Sequence, residues 1–279
     1  MAGRLTALAI VAALFAATPA QADVLRNGPY RYVSAEREAS GFSTLKANCP
    51  RKTHVLSGGA FTAAAFNDAH LIHSYPFDSK DRKRAPDDGW KVLMNGRFDI
   101  GTPTSVYAIC RREMPTYEVG DHVATADEQT HGTVSCPKGL SVTGGGTNGD
   151  LDVPEVSSLP VDGSPDEWEF WVDNRDSDSL NHTLNTFAIC VDRELFVLQA
   201  EGTVAAGALE TESRQCAPGD YVVGGGYYTS ANYDESKILA SAPFAFDSDA
   251  NDGWQARIAN RTSTTMSVTS YAICHSTAG

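Results

Sequence analysis

The segment Tyr107-Ala108-Ile109-Cys110 returns as Phe187-Ala188-Ile189-Cys190 and again as Tyr271-Ala272-Ile273-Cys274. Each copy closes a longer pattern that begins at a cysteine and passes through a glycine cluster, a Ser-x-Pro step and a tryptophan. A pattern that recurs three times is one supersecondary unit built three times, and this restricts the fold more than composition does. Aligned on their cysteines, the copies run from Cys49 to Cys110, Cys136 to Cys190 and Cys216 to Cys274, separations of 61, 54 and 58 positions. The stretches between copies, Cys110 to Cys136 and Cys190 to Cys216, are both 26 positions. Ahead of each first cysteine lies an opening strand, at Tyr30-Arg31-Tyr32-Val33, Tyr117-Glu118-Val119 and Leu195-Phe196-Val197. The organisation expected is a leader at 1–22 and β repeats at 23–113, 114–193 and 194–279.

Within each repeat the apolar residues alternate with period two, as a half-buried strand requires. Trp90, Val92 and Met94 share a face, and so do Trp168, Phe170 and Val172, and Trp254, Ala256 and Ile258. The closing strand is apolar on both faces, with Ala272 and Cys274 on one and Tyr271 and Ile273 on the other, which marks a central strand. The fold class expected is all-β, with five or six strands per repeat. The clusters Gly58-Gly59, Gly144-Gly145-Gly146 and Gly224-Gly225-Gly226 point to positive φ or close backbone approach at a bulge. No helical pattern follows them, so they do not form a phosphate-cradling loop.

The pattern of Cys-Pro, glycine cluster, Ser-x-Pro, Trp and Tyr-Ala-Ile-Cys resembles the repeat of a family of poorly characterised secreted bacterial proteins. Repeat 2 departs from it at Phe187, and repeat 3 has Ala217-Pro218 after its cysteine. The resemblance implies export and a β fold and brings no activity with it. Independently, Met1 to Ala22 reads as a secretory signal peptide, with Arg4, an apolar run from Leu5 to Ala17, and small residues at Ala20 and Ala22. The run is too short to span a bilayer, so a mature chain beginning near Asp23, secreted or periplasmic and without membrane insertion, is expected.

Six cysteines in an exported chain read as three disulfides. Repeat symmetry leaves two sets. Bonds within repeats (Cys49 with Cys110, Cys136 with Cys190, Cys216 with Cys274) accompany three tandem β-sandwich-like repeats. Bonds across the connections accompany a single pseudo-threefold, prism-like body. The first is favoured, because trefoil and prism repeats usually need about half this length.

The formal charge of −13, one unit more negative once Arg4 leaves with the leader, repels nucleic acid at long range. No G-x-S-x-G elbow is present, and the seven histidines do not recur at matching repeat positions. The sequence therefore points away from an enzyme and toward a secreted, non-catalytic binding, adhesive or envelope-associated protein. The alternatives are a secreted hydrolase, with carboxylates or a Ser-His pair in one degenerate repeat, and a secreted inhibitor or toxin component. Trp171 points away from the face of Trp168; with Asp173, Asn174 and Arg175 it is the candidate site for a glycan or protein surface. Asp247, Asp249 and Asn251 match positions 1, 3 and 5 of a calcium loop, although Asp252 and Ile258 break the rest of the motif. No other cofactor is expected, and the sequence leaves the oligomeric state open.

Overall fold

The structure is a computed structural model that describes residues 22–64, 69–79, 85–97, 101–161, 166–175, 179–232, 234–244 and 252–276. The described residues form nineteen strands and no helix. After β1 (Asp23–Asn27), each repeat contributes six strands. Repeat 1 holds β2 (Tyr30–Ala39), β3 (Phe42–Asn48), β4 (His54–Thr62), β5 (Ala69–Phe77), β6 (Gly89–Gly96) and β7 (Thr102–Arg111). Repeat 2 holds β8 (Thr116–Ala124), β9 (Gln129–Ser135), β10 (Ser141–Asn148), β11 (Glu155–Pro160), β12 (Glu167–Asp173) and β13 (His182–Val191). Repeat 3 holds β14 (Phe196–Val204), β15 (Leu209–Gln215), β16 (Tyr221–Thr229), β17 (Ser236–Phe244), β18 (Gly253–Asn260) and β19 (Met266–His275).

Each repeat splits into two three-stranded leaves, in repeat 1 β2-β7-β4 and β3-β6-β5. The alternation along the tryptophan strand turns Trp90, Val92 and Met94 into the space between the leaves, where none is more than 1% exposed. The disulfides Cys49–Cys110, Cys136–Cys190 and Cys216–Cys274 join the two leaves of each repeat, and no described cysteine is free. The all-β class, the sandwich-like repeat and its internal disulfide are thus as the sequence predicts. The closing strands β7, β13 and β19 lie centrally in their leaves, which explains their apolar residues on both faces.

The repeats do not stand in a row. β4 of repeat 1 pairs with β17 of repeat 3, β10 of repeat 2 with β5 of repeat 1, and β16 of repeat 3 with β11 of repeat 2. Every sheet is therefore half one repeat and half another, with orders β1-β2-β7-β4-β17-β18-β15, β3-β6-β5-β10-β13-β8 and β14-β19-β16-β11-β12-β9. The three sandwiches are closed edge to edge into a pseudo-threefold ring, and within-repeat disulfides coexist with shared sheets. The cores merge accordingly: one apolar cluster takes in Trp90 with Tyr227 and Ile258, and another takes in Tyr32, Trp168 and Trp254.

The motif residues build this ring. In each repeat the tryptophan ring lies on the middle glycine (Gly58, Gly145, Gly225), where a Cβ would overlap the indole. Its Nε1 donates to the serine of the Ser-x-Pro step: Trp90 to Ser74 at 2.8 Å, Trp168 to Ser158 at 3.1 Å and Trp254 to Ser241 at 3.0 Å. The next glycine (Gly59, Gly146, Gly226) faces the carbonyl of the corresponding serine in the neighbouring repeat, where again a Cβ has no room. A bulge precedes the glycines in all three strands. The residue just after the bulge lies where β4, β10 and β16 meet at the axis. Of these three equivalents, only Ser57 carries a side chain, against Gly144 and Gly224, and its hydroxyl donates to the Val223 carbonyl at 2.7 Å. Repeat 1 has two glycines where the others have three because the axis accommodates one such side chain. Close backbone approach, not positive φ, is what these glycines provide.

Candidate functional site

Along β12, Trp168, Phe170 and Val172 face inward, which turns Glu169 and Trp171 onto the outer face of the sheet shared by repeats 2 and 3. Trp171 is half-buried there. Its ring lies against His131 of β9, the residue directly opposite, with centroids 4.5 Å apart and planes tilted by 30°. Its Nε1 donates to Glu169 Oε1 at 2.6 Å, and His131 Nε2 lies 3.3 Å from the same oxygen. The indole is thus braced by two residues of its own leaf, His131 against its ring and Glu169 at its Nε1.

The indole also borders the seam with repeat 3, where a hollow of about 60 Å³ is lined by Gln129, Ser157, Tyr228 and Ser230 among others. The equivalent position in repeat 3 is Arg257, which lies 5.8 Å from the Phe61 ring centroid and donates to the Thr62 carbonyl at 3.0 Å. That arginine fills its seam, whereas Trp171 and Tyr228 leave theirs open. A hollow this small does not enclose a drug-sized molecule, which takes roughly 300 Å³ or more. A flat indole edged by hydroxyl and amide groups instead suits one face of a polar ring.

The other residues of the sequence-predicted cluster divide between site and scaffold. Asp173 lies on the face of Trp171, opposite Gln129, and accepts two hydrogen bonds from the Arg175 guanidinium, from Nε at 2.8 Å and Nη2 at 2.6 Å, and one from the Arg175 backbone N at 3.2 Å. Asn174 is fully buried and its Nδ2 donates to the Ala124 and Leu180 carbonyls at 3.0 and 2.9 Å. Its repeat 3 counterpart, Asn260, does the same to Val204 and Thr264 at 2.8 Å, so Asn174 is a loop clamp of the repeat, buried away from the outer face that carries Trp171. Asp247, Asp249 and Asn251 lie outside the described residues. Among the described residues, no group of three or more His, Cys, Asp or Glu side chains is placed to hold a metal ion.

Two carboxyls bear on hydrolytic chemistry. A hollow of about 320 Å³ between the inter-repeat loops is lined by Arg111, Glu113, Leu140 and Arg193 among others. There Glu113 accepts from Arg111 Nε at 2.8 Å, and hydrogen bonding by its own backbone and by Arg111 holds its carboxyl below the usual range. A general acid needs the opposite shift. The carboxyl that has it is Glu155, pushed up to about 8 by burial. It is enclosed, accepting from Thr147 N at 3.1 Å, Thr147 Oγ1 at 2.8 Å and Tyr227 Oη at 3.3 Å. His73 continues the chain, with Nδ1 3.0 Å from Thr147 Oγ1 and Nε2 3.0 Å from the Asp150 carbonyl, and burial pushes it down to about 4. The cavity beside Glu155, about 10 Å³, has room for one water at most. Glu155 and His73 occupy places where the other repeats have Leu71 and Ile238, and Ser157 and Ala240. Sequence reasoning missed them, though aligning the Ser-x-Pro strands residue by residue exposes both.

Folded Glu155 keeps a proton that the unfolded chain gives up above pH 4.5, so its contribution to stability falls as pH rises from 4.5 to about 8. The slope is at most about 1.4 kcal/mol per pH unit. His73 acts in the other direction, lowering stability as pH falls from 6.5 to about 4. Urea midpoints measured across pH 4 to 9 are expected to decline between pH 6.5 and about 8 in the native protein, where His73 no longer opposes Glu155, and to lose that decline in Glu155→Gln. Equal slopes of the two across that window would show that Glu155 is ionised in the fold.

Known protein families give no match to this chain, and no curated protein matches it either.

Proposed function

We propose that the protein is a secreted, non-catalytic binding protein that takes a polar ring, of the kind found in glycans, on the outer face at Trp171. The observation that carries this reading is the half-buried indole, braced by His131 and Glu169 beside an open seam whose counterpart in repeat 3 is filled by Arg257. Three disulfides fit maturation in an oxidising, extracellular or periplasmic environment. Export by the leader at 1–22 accounts for that environment. The three seams share a backbone plan but differ in outer side chains, so the site at Trp171 is single and binding does not rest on threefold avidity.

Glycan-array screening of the oxidised protein beside Trp171→Ala tests the reading. The variant is expected to bind about tenfold or more weakly. Its melting temperature should move by only a few degrees, because the indole lies outside the core. Retention of full binding by the variant, or an array on which the native protein binds nothing, would overturn the proposal.

A further inference from the structure

The sheet shared by repeats 1 and 2 carries a chemically different row on its outer face. Lys46 of β3 lies directly opposite Lys91 of β6, and Lys91 lies directly opposite Tyr75 of β5. At the two lysine positions the other sheets have Thr133 with Glu169 and Ser213 with Gln255. Like charges facing each other on adjacent antiparallel strands destabilise the pair. This pair is nevertheless kept, and aromatic rings support it. Both ammonium groups stand 5.4 Å from the Phe77 centroid, and that of Lys91 also stands 5.4 Å from the Tyr75 centroid. Tyr75 in turn stacks on Phe187 across the seam, centroids 6.0 Å apart and planes 12° from parallel.

The rings offset part of the repulsion through cation–π attraction. They neutralise none of the charge. Among the described residues no carboxylate pairs with either lysine, in a chain whose formal charge is −13. Burial first, and the neighbouring Lys46 second, lower the Lys91 ammonium from its ordinary value, so holding both charges is costly in the unliganded molecule. A doubly negative group placed between them would remove that cost. Each ammonium brings three rotatable donors, and the buried Phe77 ring beneath them reduces competition from water.

We propose that Lys46 and Lys91 form a binding site for a dianionic oxyanion, a phosphate or sulfate ester, carried by a ligand in the surrounding medium. The site is separate from the Trp171 face and stands or falls without it. The rings fix where the ammonium groups sit, and the two charges supply recognition as point donors, the usual way in which lysine meets phosphate.

The test is titration of the disulfide-intact protein with sodium sulfate and with inorganic phosphate, using sodium chloride of matched ionic strength as the reference and following the lysine ammonium and Tyr75 ring signals by NMR. Saturable shifts with sulfate are expected, and with inorganic phosphate chiefly at pH values where its dianion predominates, with the Lys91 pKa rising as the site fills. Lys46→Gln and Lys91→Gln are each expected to weaken binding about tenfold. In the absence of anion they should melt no lower than the native protein, because the repulsion is relieved. Trp171→Ala should titrate as the native protein does. Identical titrations by the native protein and the double variant, shifts that chloride reproduces, or lower melting with unchanged anion affinity would each overturn the assignment.

Discussion

Replacing Gly146 with alanine is expected to lower stability by about 3 kcal/mol or more, the upper range for overpacking a site that cannot relax. The added Cβ would fall on the Ser74 carbonyl of the neighbouring repeat. The obstacle is backbone belonging to a paired strand, so relief requires β10 and β5 to move apart. The seam has few hydrogen-bonded positions to lose, since Thr147 opposite Ser74 is its one registered pair. At roughly 2–4 °C per kcal/mol for a chain near this size, melting should fall by about 6–12 °C. Gly202 is the control: an added Cβ there meets only the Glu212 side chain, which is free to swing away, so Gly202→Ala should change little. Thermal scans of the two variants beside the native protein decide the matter, and equal small shifts would show that the seam is not tightly closed.

Removing one disulfide, by Cys216→Ser with Cys274→Ser, is expected to cost about 4 kcal/mol in the chain-entropy account of a loop this long, against a total margin of roughly 5–15 kcal/mol. The more telling outcome is how the loss is distributed. Independent modules would confine it to repeat 3 and leave repeats 1 and 2 at their original midpoint. Here β17 completes the sheet of repeat 1 and β16 that of repeat 2, and the apolar clusters run through all three repeats. Urea unfolding followed by tryptophan fluorescence, with Trp90, Trp168 and Trp254 reporting from one repeat each, should therefore remain a single transition shifted as a whole. A second, unshifted transition would mean that the seams contribute little.

The architecture was legible in the sequence where side chains specify it. Alternation through Trp90, Val92 and Met94 gives the inward face, doubly apolar closing strands give the centre of a leaf, and repeat symmetry with repeat length favours the within-repeat bonds over the set that crosses the connections. The pseudo-threefold body was the alternative and not the favoured reading, because the closest approach at its seams is between glycines and backbone, and the side chains that do meet there, such as Arg257 with Phe61 and Tyr75 with Phe187, come from distant strands that no local pattern pairs. Bond pattern and architecture also proved separable: a disulfide across the two leaves of a sandwich is indifferent to what lies beyond the leaf edges. At the site, alternation alone turns Trp171 outward. His131 and Tyr228 join it from β9 and β16, by a register that no local pattern encodes. Asn174 looked like a ligand contact for the same reason, since only the carbonyls of Ala124 and Leu180, distant or across a loop, reveal it as a clamp.

Closure of the ring also fixes how many copies of the unit the chain can carry. In a solenoid, repeats contact only their neighbours and the ends are capped, so copies are gained or lost at a modest cost. Here the last repeat pairs with the first through β17 and β4. Deleting repeat 3 would leave β4 and β11 as bare edges open to pairing with another molecule. Inserting a fourth would require every seam to change its angle. Three is thus a geometric property of this ring, and the outer faces, where Trp171 and the Lys46–Lys91 pair are found, are the surfaces whose side chains can differ from repeat to repeat without opening a seam.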